Sequence, residues 1–230
     1  MAQKKSKNKK VIVEKSAVPE KKARLASWQK HIQVTKIFPY ILVLFGMVGL
    51  LASSILIIEK ITLLREPAAD LSCNLNPIYS CSNVIKSEQA EVLGFPNELM
   101  GIAMFAALIT LGVVLFAKAK LPNWFWKLFA LGMLGSMSFV IWFFYQSVYV
   151  VGSLCIFCSS IWFSTWTISV VGYSWLYDKG FFQLKEGSSL ARIASLLRKN
   201  VGLVWFLFIL LIATLILNHF WYYYGPVLGF

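Results

Sequence analysis

Charge is what this sequence has least of. Of its 230 residues, 14% are Asp, Glu, Lys or Arg, against about 25% in an ordinary soluble domain. Acidic residues are the rarer sign, ten against 22 basic. Histidine occurs only twice, as His31 and His219, far apart in the chain, so the commonest metal-ligating side chain is missing where a cluster would need it. No segment repeats at a solenoid period, and biased composition is confined to the basic start. That start, "QKKSKNKKVIVEKSAVPEKKAR", holds no apolar core followed by small residues and does not read as a cleaved secretory signal.

What remains is apolar. Hydrophobic residues make up 58% of the chain and the mean hydropathy is +0.69. Five stretches, 37–58, 99–117, 128–147, 154–177 and 201–222, carry no Asp, Glu, Lys or Arg, and each approaches the ~20 residues a helix needs to cross a bilayer. The fold class is therefore an all-α integral membrane protein. A net charge of +12 would suggest nucleic acid in a soluble domain, but the distribution argues for topology instead. Eleven basic residues lie between Lys4 and Lys36, and the loops 118–127 and 178–200 add three and five. With those three segments inside, only Lys60, Arg65 and Lys86 face out, 19 against three, as the positive-inside tendency requires. The tail reads as a solvated, disordered anchor able to touch anionic headgroups.

The expected organisation follows. Residues 1–36 form the basic cytoplasmic tail, and 37–177 hold four spans with an outer loop at 59–96. Residues 178–200 are a cytoplasmic loop, and 201–230 a fifth span with a short outer tail. The loop is the only long exposed piece outside, and connections beyond about 12–15 residues are usually functional or linkers. Val84 to Leu93 is expected as a short lid helix, ended by Gly94 and Pro96. Short turns, "KAKLPNW" and "SVYVVGS", make spans two to four antiparallel neighbours. Gly132, Gly135, Ser136 and Ser138 suggest close helix contact in the third span. "SSLARIASLLRK" reads as an interfacial amphipathic helix, and "NHFWYYYGPVLGF" as an aromatic belt at the outer headgroups.

On this topology all four cysteines face one compartment: Cys73 and Cys81 in the outer loop, Cys155 and Cys158 at the outer mouth of the fourth span. That is the side on which disulfides persist. Positions three apart share a helix face, so Cys155 and Cys158 can reach one another. The start of a helix carries unpaired N–H groups and a partial positive charge, favouring the nucleophilic thiolate, most of all at Cys155. Cys158 lies about 4.5 Å deeper at ~1.5 Å per residue, where a lipid-soluble oxidant would meet it. Structural zinc held by four thiolates and two inert disulfides are the bland alternatives; a hydrophobic helix mouth offers zinc little second-shell support, and chance would not put two paired spacings on one side.

At these residues the chain resembles the vitamin K epoxide reductase family, most closely its bacterial disulfide-forming homologues. The matching elements are "CNLNPIYSCSNVIKS", "GFPNELMGI" and "CIFC", within about 37–177. The resemblance implies a four-helix transmembrane bundle around a quinone of the ubiquinone, menaquinone or vitamin K type, plus a fifth helix. It implies that the loop pair takes electrons from a thioredoxin-like or DsbA-like partner and passes them to the Cys-x-x-Cys pair. Either loop cysteine can then meet the partner, with a lean toward Cys81, while Cys158 stands against the quinone and Ser87 and Asn97 hydrogen-bond its carbonyls. Trp162 occupies a position held by Tyr in vertebrate members, which argues against epoxide recognition. Many bacterial members carry a fused thioredoxin-like domain after a fifth span; this sequence stops after that span, so the partner is expected as a separate polypeptide. The expected function is a membrane thiol oxidoreductase of a bacterial inner membrane, active on the extracytoplasmic side. The alternatives are a vitamin K epoxide reductase or a non-catalytic scaffold with structural disulfides.

Overall fold

A computed structural model describes residues 36–182 and 189–227. The disordered tail expected at 1–36 lies outside them except for Lys36, as do the middle of the 178–200 loop and the last three residues. Five helices are long and apolar enough to cross a membrane. These are α1 (Lys36–Arg65), α3 (Asn97–Phe116), α4 (Asn123–Tyr145, running on as a π-helical turn to Val151), α5 (Ile156–Asp178) and α7 (Val201–His219). Four shorter pieces complete the described chain: α2 (Cys81–Ile85), a 3₁₀ turn at Glu88–Glu91, α6 (Ser189–Lys199) and α8 (Trp221–Val227).

The spans are hydrophobic all round, so most of their apolar surface faces outward, as expected where lipid replaces water. α7 is the extreme case and buries no residue. It leans on α5 through a stacked Trp166–Phe208 pair with centroids 3.4 Å apart and a bond of 3.0 Å from Trp205 Nε1 to Thr167 Oγ1. Backbones approach one another at glycines, but not those singled out from the sequence. A Cβ on Gly46 would meet Ile109 at 2.7 Å and one on Gly112 would meet Val43 at 2.7 Å, so the tight seam joins α1 to α3. Gly132 and Gly135 have nothing within 4 Å of that position; α4 is exposed there and borders a cavity instead of gripping a neighbour.

Two cores result. One centres on aromatic rings, with Phe38 stacked on Trp175 at 5.0 Å and Trp126 against Trp175 at 4.5 Å. The other gathers Leu56, Val84, Ile85, Phe143, Val148, Leu154 and Phe220 around the four cysteines. Three boundaries depart from expectation. α1 continues past Ile58 to Arg65, because Lys60 is neutralised by Glu91 at 2.7 Å. The lid is not one helix over Val84–Leu93: it breaks at Ser87, whose backbone is extended (φ −74°, ψ 148°). The connection after the third span is helical to Val151 and turns only at Gly152, at φ 67°. Gly94 does take the left-handed conformation expected of it, at φ 79°.

Candidate active site

The loop after α1 folds on itself before it touches the bundle. Asn76 Oδ1 accepts from the backbone N–H of Ile78 and Tyr79 at 3.0 and 2.7 Å, the local side-chain turn that Asn favours. Asn74 Oδ1 accepts from the Ser82 N–H at 3.2 Å, and Asn74 Nδ2 donates to Ser82 Oγ at 2.8 Å. Cys73 and Cys81, with Cα atoms 5.7 Å apart, close the resulting loop as a disulfide.

The loop then docks beside the start of α5. Tyr79 and Leu154 form an isolated parallel bridge: Leu154 N–H donates to Ile78 O at 2.7 Å, and Ser80 N–H donates to Leu154 O at 2.9 Å. Asn83 Nδ2 adds a bond of 2.9 Å to Ser153 Oγ. On the other side, Ser147 Oγ donates to Ser153 O at 2.5 Å, tying the strap before α5 back to the π-helical turn. Neither periodicity nor composition marks these partners.

The consequence is a line of sulfur. Cys81 Sγ lies 3.1 Å from Cys155 Sγ. Cys155 is the N-cap of α5, in extended conformation, and its sulfur accepts the Cys158 N–H at 3.3 Å. Cys155 and Cys158 are free thiols, with relative exposures of 0% and 7%. The hydrogen bond from the Cys158 side chain holds the Cys155 thiol below its ordinary value, helped by the backbone N–H groups of Cys158 and Phe157 and opposed by burial. Cys155 is thus both the sulfur nearest the loop disulfide and the one biased toward thiolate.

Cys158 opens on a cavity of about 460 Å³ between α1, α3, α4, α5 and the lid, within the ~300–1,000 Å³ typical of small-molecule sites. Its lining is mostly apolar, with Leu56, Val84, Met104, Phe139, Phe143 and Trp162 prominent. Four buried oxygens on lining residues have no hydrogen-bond partner among the described residues: Ser53 Oγ, Asn97 Oδ1, Glu98 Oε2 and Thr165 Oγ1. Unmet buried polar atoms are uncommon in native interiors, and four around one cavity mark it as a place for a ligand with matching groups.

The sequence model of the vitamin K epoxide reductase family matches residues 40–173. This chain belongs to the vitamin K epoxide reductase family. No curated protein matches it. Vitamin K epoxide reductase family proteins are membrane oxidoreductases that link thiols to quinone-type substrates, and at that level the assignment covers this multi-pass protein.

The residues expected from the sequence fall as follows. All four cysteines gather in one core cluster. Asn97, the first residue of α3, borders the cavity, with its Nδ2 donating to Gln89 O at 2.7 Å. Ser87 sits at the break in the lid with its hydroxyl donated to Val84 O at 2.7 Å and is not among the lining residues. Trp162 lines the cavity and packs edge-on against Phe144, centroids 5.5 Å apart. Sequence reading passed over Ser53, Thr165 and Glu98. The first two look like ordinary small residues of a span; Glu98, beside Asn97 at a helix start, looks like a capping acid.

Proposed function

We propose that this protein reoxidises a separate thioredoxin-like or DsbA-like protein on the extracytoplasmic side of a bacterial inner membrane. Two electrons pass through two cysteine pairs to a membrane quinone, and the cycle supports disulfide formation. The observation that carries the reading is the 3.1 Å separation of Cys81 Sγ and Cys155 Sγ, with Cys158 facing the cavity beyond.

The chemistry is thiol–disulfide exchange, in which a thiolate attacks a disulfide sulfur through a mixed disulfide. A reduced partner attacks the loop pair and leaves oxidised, so Cys73 and Cys81 become thiols. Cys81 gives up its proton and attacks Cys155 of a Cys155–Cys158 disulfide, forming the Cys81–Cys155 bond and releasing Cys158, which takes up a proton. Cys73 attacks Cys81 in turn, the loop disulfide closes and Cys155 leaves as thiolate. A closed loop pair beside a reduced Cys155 and Cys158 matches the state just after that transfer. Because Cys81 is the sulfur against Cys155, we assign Cys73 to the partner, the reverse of the lean toward Cys81 expected from the family resemblance.

The cavity suits a quinone head group by its donor set. Ser53 and Thr165 hydroxyls lack partners among the described residues and are the kind of neutral donors that fit carbonyl oxygens, while Asn97 Oδ1 is an acceptor for a hydroxyl of the reduced form. Ser87 reaches such a ligand only by giving up its bond to Val84. A bound quinone supplies the final uptake of two electrons and two protons; the protein supplies position, dryness and the sulfur relay. Expressing a Cys158→Ser variant in cells that lack their own disulfide generator tests the reading. Loss of substrate oxidation is expected, and rescue at the normal level removes the mechanism.

A further inference from the structure

The cavity contains one ionisable oxygen that the sulfur relay does not use. Glu98, in the first turn of α3, is 8% exposed, lines the same cavity as Cys158, and its Oε2 has no partner among the described residues. Burying an ionised carboxylate is costly, so such a residue in a membrane interior points to a functional role. Its charged surroundings are specific. Lys60 on α1 and Glu91 on the lid turn lie within electrostatic reach of it, and these two pair with each other at 2.7 Å. Lys60 is buried while Glu91 is half exposed, its side chain 51% accessible, so the pair runs from the interior beside Glu98 to the surface. Cys155 and Cys158 on the α5 side are the remaining titratable groups nearby.

We propose that Glu98 is the proton carrier of the cavity, holding a proton on Oε2, releasing it into the cavity as Cys155 and Cys158 are oxidised, and regaining it from the outer aqueous side past the Lys60–Glu91 pair. The inference rests on the quinone reading above and follows from proton counting. Joining two thiols as a disulfide frees two electrons and two protons, and reducing a quinone consumes two of each. Cys155 Sγ accepts the Cys158 N–H at 3.3 Å at the start of α5, a setting that favours thiolate, and when it reacts in that form the sulfur pair is one proton short: one S–S bond forms, two electrons leave, and only the Cys158 proton goes with them. The missing proton comes from the Glu98 carboxylic acid. The carboxylate left behind sits at a helix N-terminus, where negative charge is stabilised, and beside the Lys60 cation until it is reprotonated.

The test uses the full chain in lipid nanodiscs, with dithiothreitol as reductant and decylubiquinone as acceptor probe. Glu98→Gln keeps size and polarity but has no proton to give. It should slow acceptor reduction about 10²-fold or more, the range that positioned proton transfer supplies, while decylubiquinone binding stays within about twofold and Glu98→Asp recovers part of the rate. Infrared difference spectra between oxidised and reduced wild type should show a protonated-carboxyl band that is absent from Glu98→Gln. A merely structural role leaves no such band. Wild-type rate and pH profile in Glu98→Gln, or no carboxyl band in the wild type, overturns the inference. If Glu98→Gln fails to fold, the wild-type spectrum and Glu98→Asp decide alone. Activity retained by Cys158→Ser instead overturns the reading beneath it; an inactive Cys158→Ser beside a normal Glu98→Gln removes only Glu98.

Discussion

Replacing Cys73 by Ser leaves Cys81 without its partner but still against Cys155, and the expected product is a Cys81–Cys155 disulfide. The two sulfurs are 3.1 Å apart and a disulfide is about 2.05 Å long, so roughly 1 Å of movement closes the bond, within the reach of a side-chain rotation. Well-oriented intramolecular groups reach effective molarities of ~10⁵ M. Even a geometry realising a millionth of that, about 0.1 M, outcompetes about 1 mM of added thiol a hundredfold. After mild oxidation, trapping with a maleimide-polyethylene glycol reagent under denaturing conditions should tag one thiol, Cys158, in Cys73→Ser, against two in the wild type. Peptide mapping should find Cys81 joined to Cys155. The converse variant, Cys81→Ser, should not give a Cys73–Cys155 bond in comparable yield. Equal trapping in both variants, or a Cys155–Cys158 bond with Cys81 left free, refutes the assignment of Cys81 as the inner sulfur.

Three further outcomes follow from the geometry. Asn83→Ala deletes the 2.9 Å bond to Ser153 and should cost about 0.5–1.5 kcal/mol of loop docking, read as up to tenfold faster hydrogen exchange over 74–85 with the spans unchanged. Gly152→Ala places a side chain at φ 67° and should destabilise by roughly 1–2 kcal/mol, measured as a lower thermal midpoint in detergent. Cys155 is held below the ordinary thiol value chiefly by Cys158, so its thiolate ultraviolet absorbance should persist to lower pH than that of a free thiol and vanish only as pH falls through the depressed value. Cys158→Ala should shift that titration upward; an unmoved curve contradicts the assigned cause.

Much of the architecture is written in local patterns. Five uncharged runs locate the spans, an even set of cysteines falls on one side, and Gly94 marks the end of the lid. What escaped notice depends on pairing between distant residues. Lys60 reads as the charge that ends α1 until Glu91 is seen to neutralise it. The π-helical turn at 146–151 leaves no mark in hydropathy, since Val148, Val150 and Val151 suit a helix of either pitch. The Tyr79–Leu154 bridge joins segments 75 residues apart through backbone atoms alone, which side-chain chemistry cannot announce. Glu98 was overlooked for a different reason: one acid at a helix start is common, and only the cavity beside it gives it meaning.

The burial of Cys73 and Cys81, at 2% and 0% exposure, carries a consequence for the compartment as a whole. A docked loop is a closed switch for internal transfer and an insulated one for everything outside. In the proposed cycle, glutathione or any stray small thiol reaches these sulfurs only as fast as the loop lifts, so little of the quinone pool's oxidising power is lost to futile cycles. A protein able to prise the loop from Leu154 and Ser153 would draw current faster than a small thiol such as dithiothreitol, which makes the few hydrogen bonds of that dock the gatekeepers of economy as well as of rate.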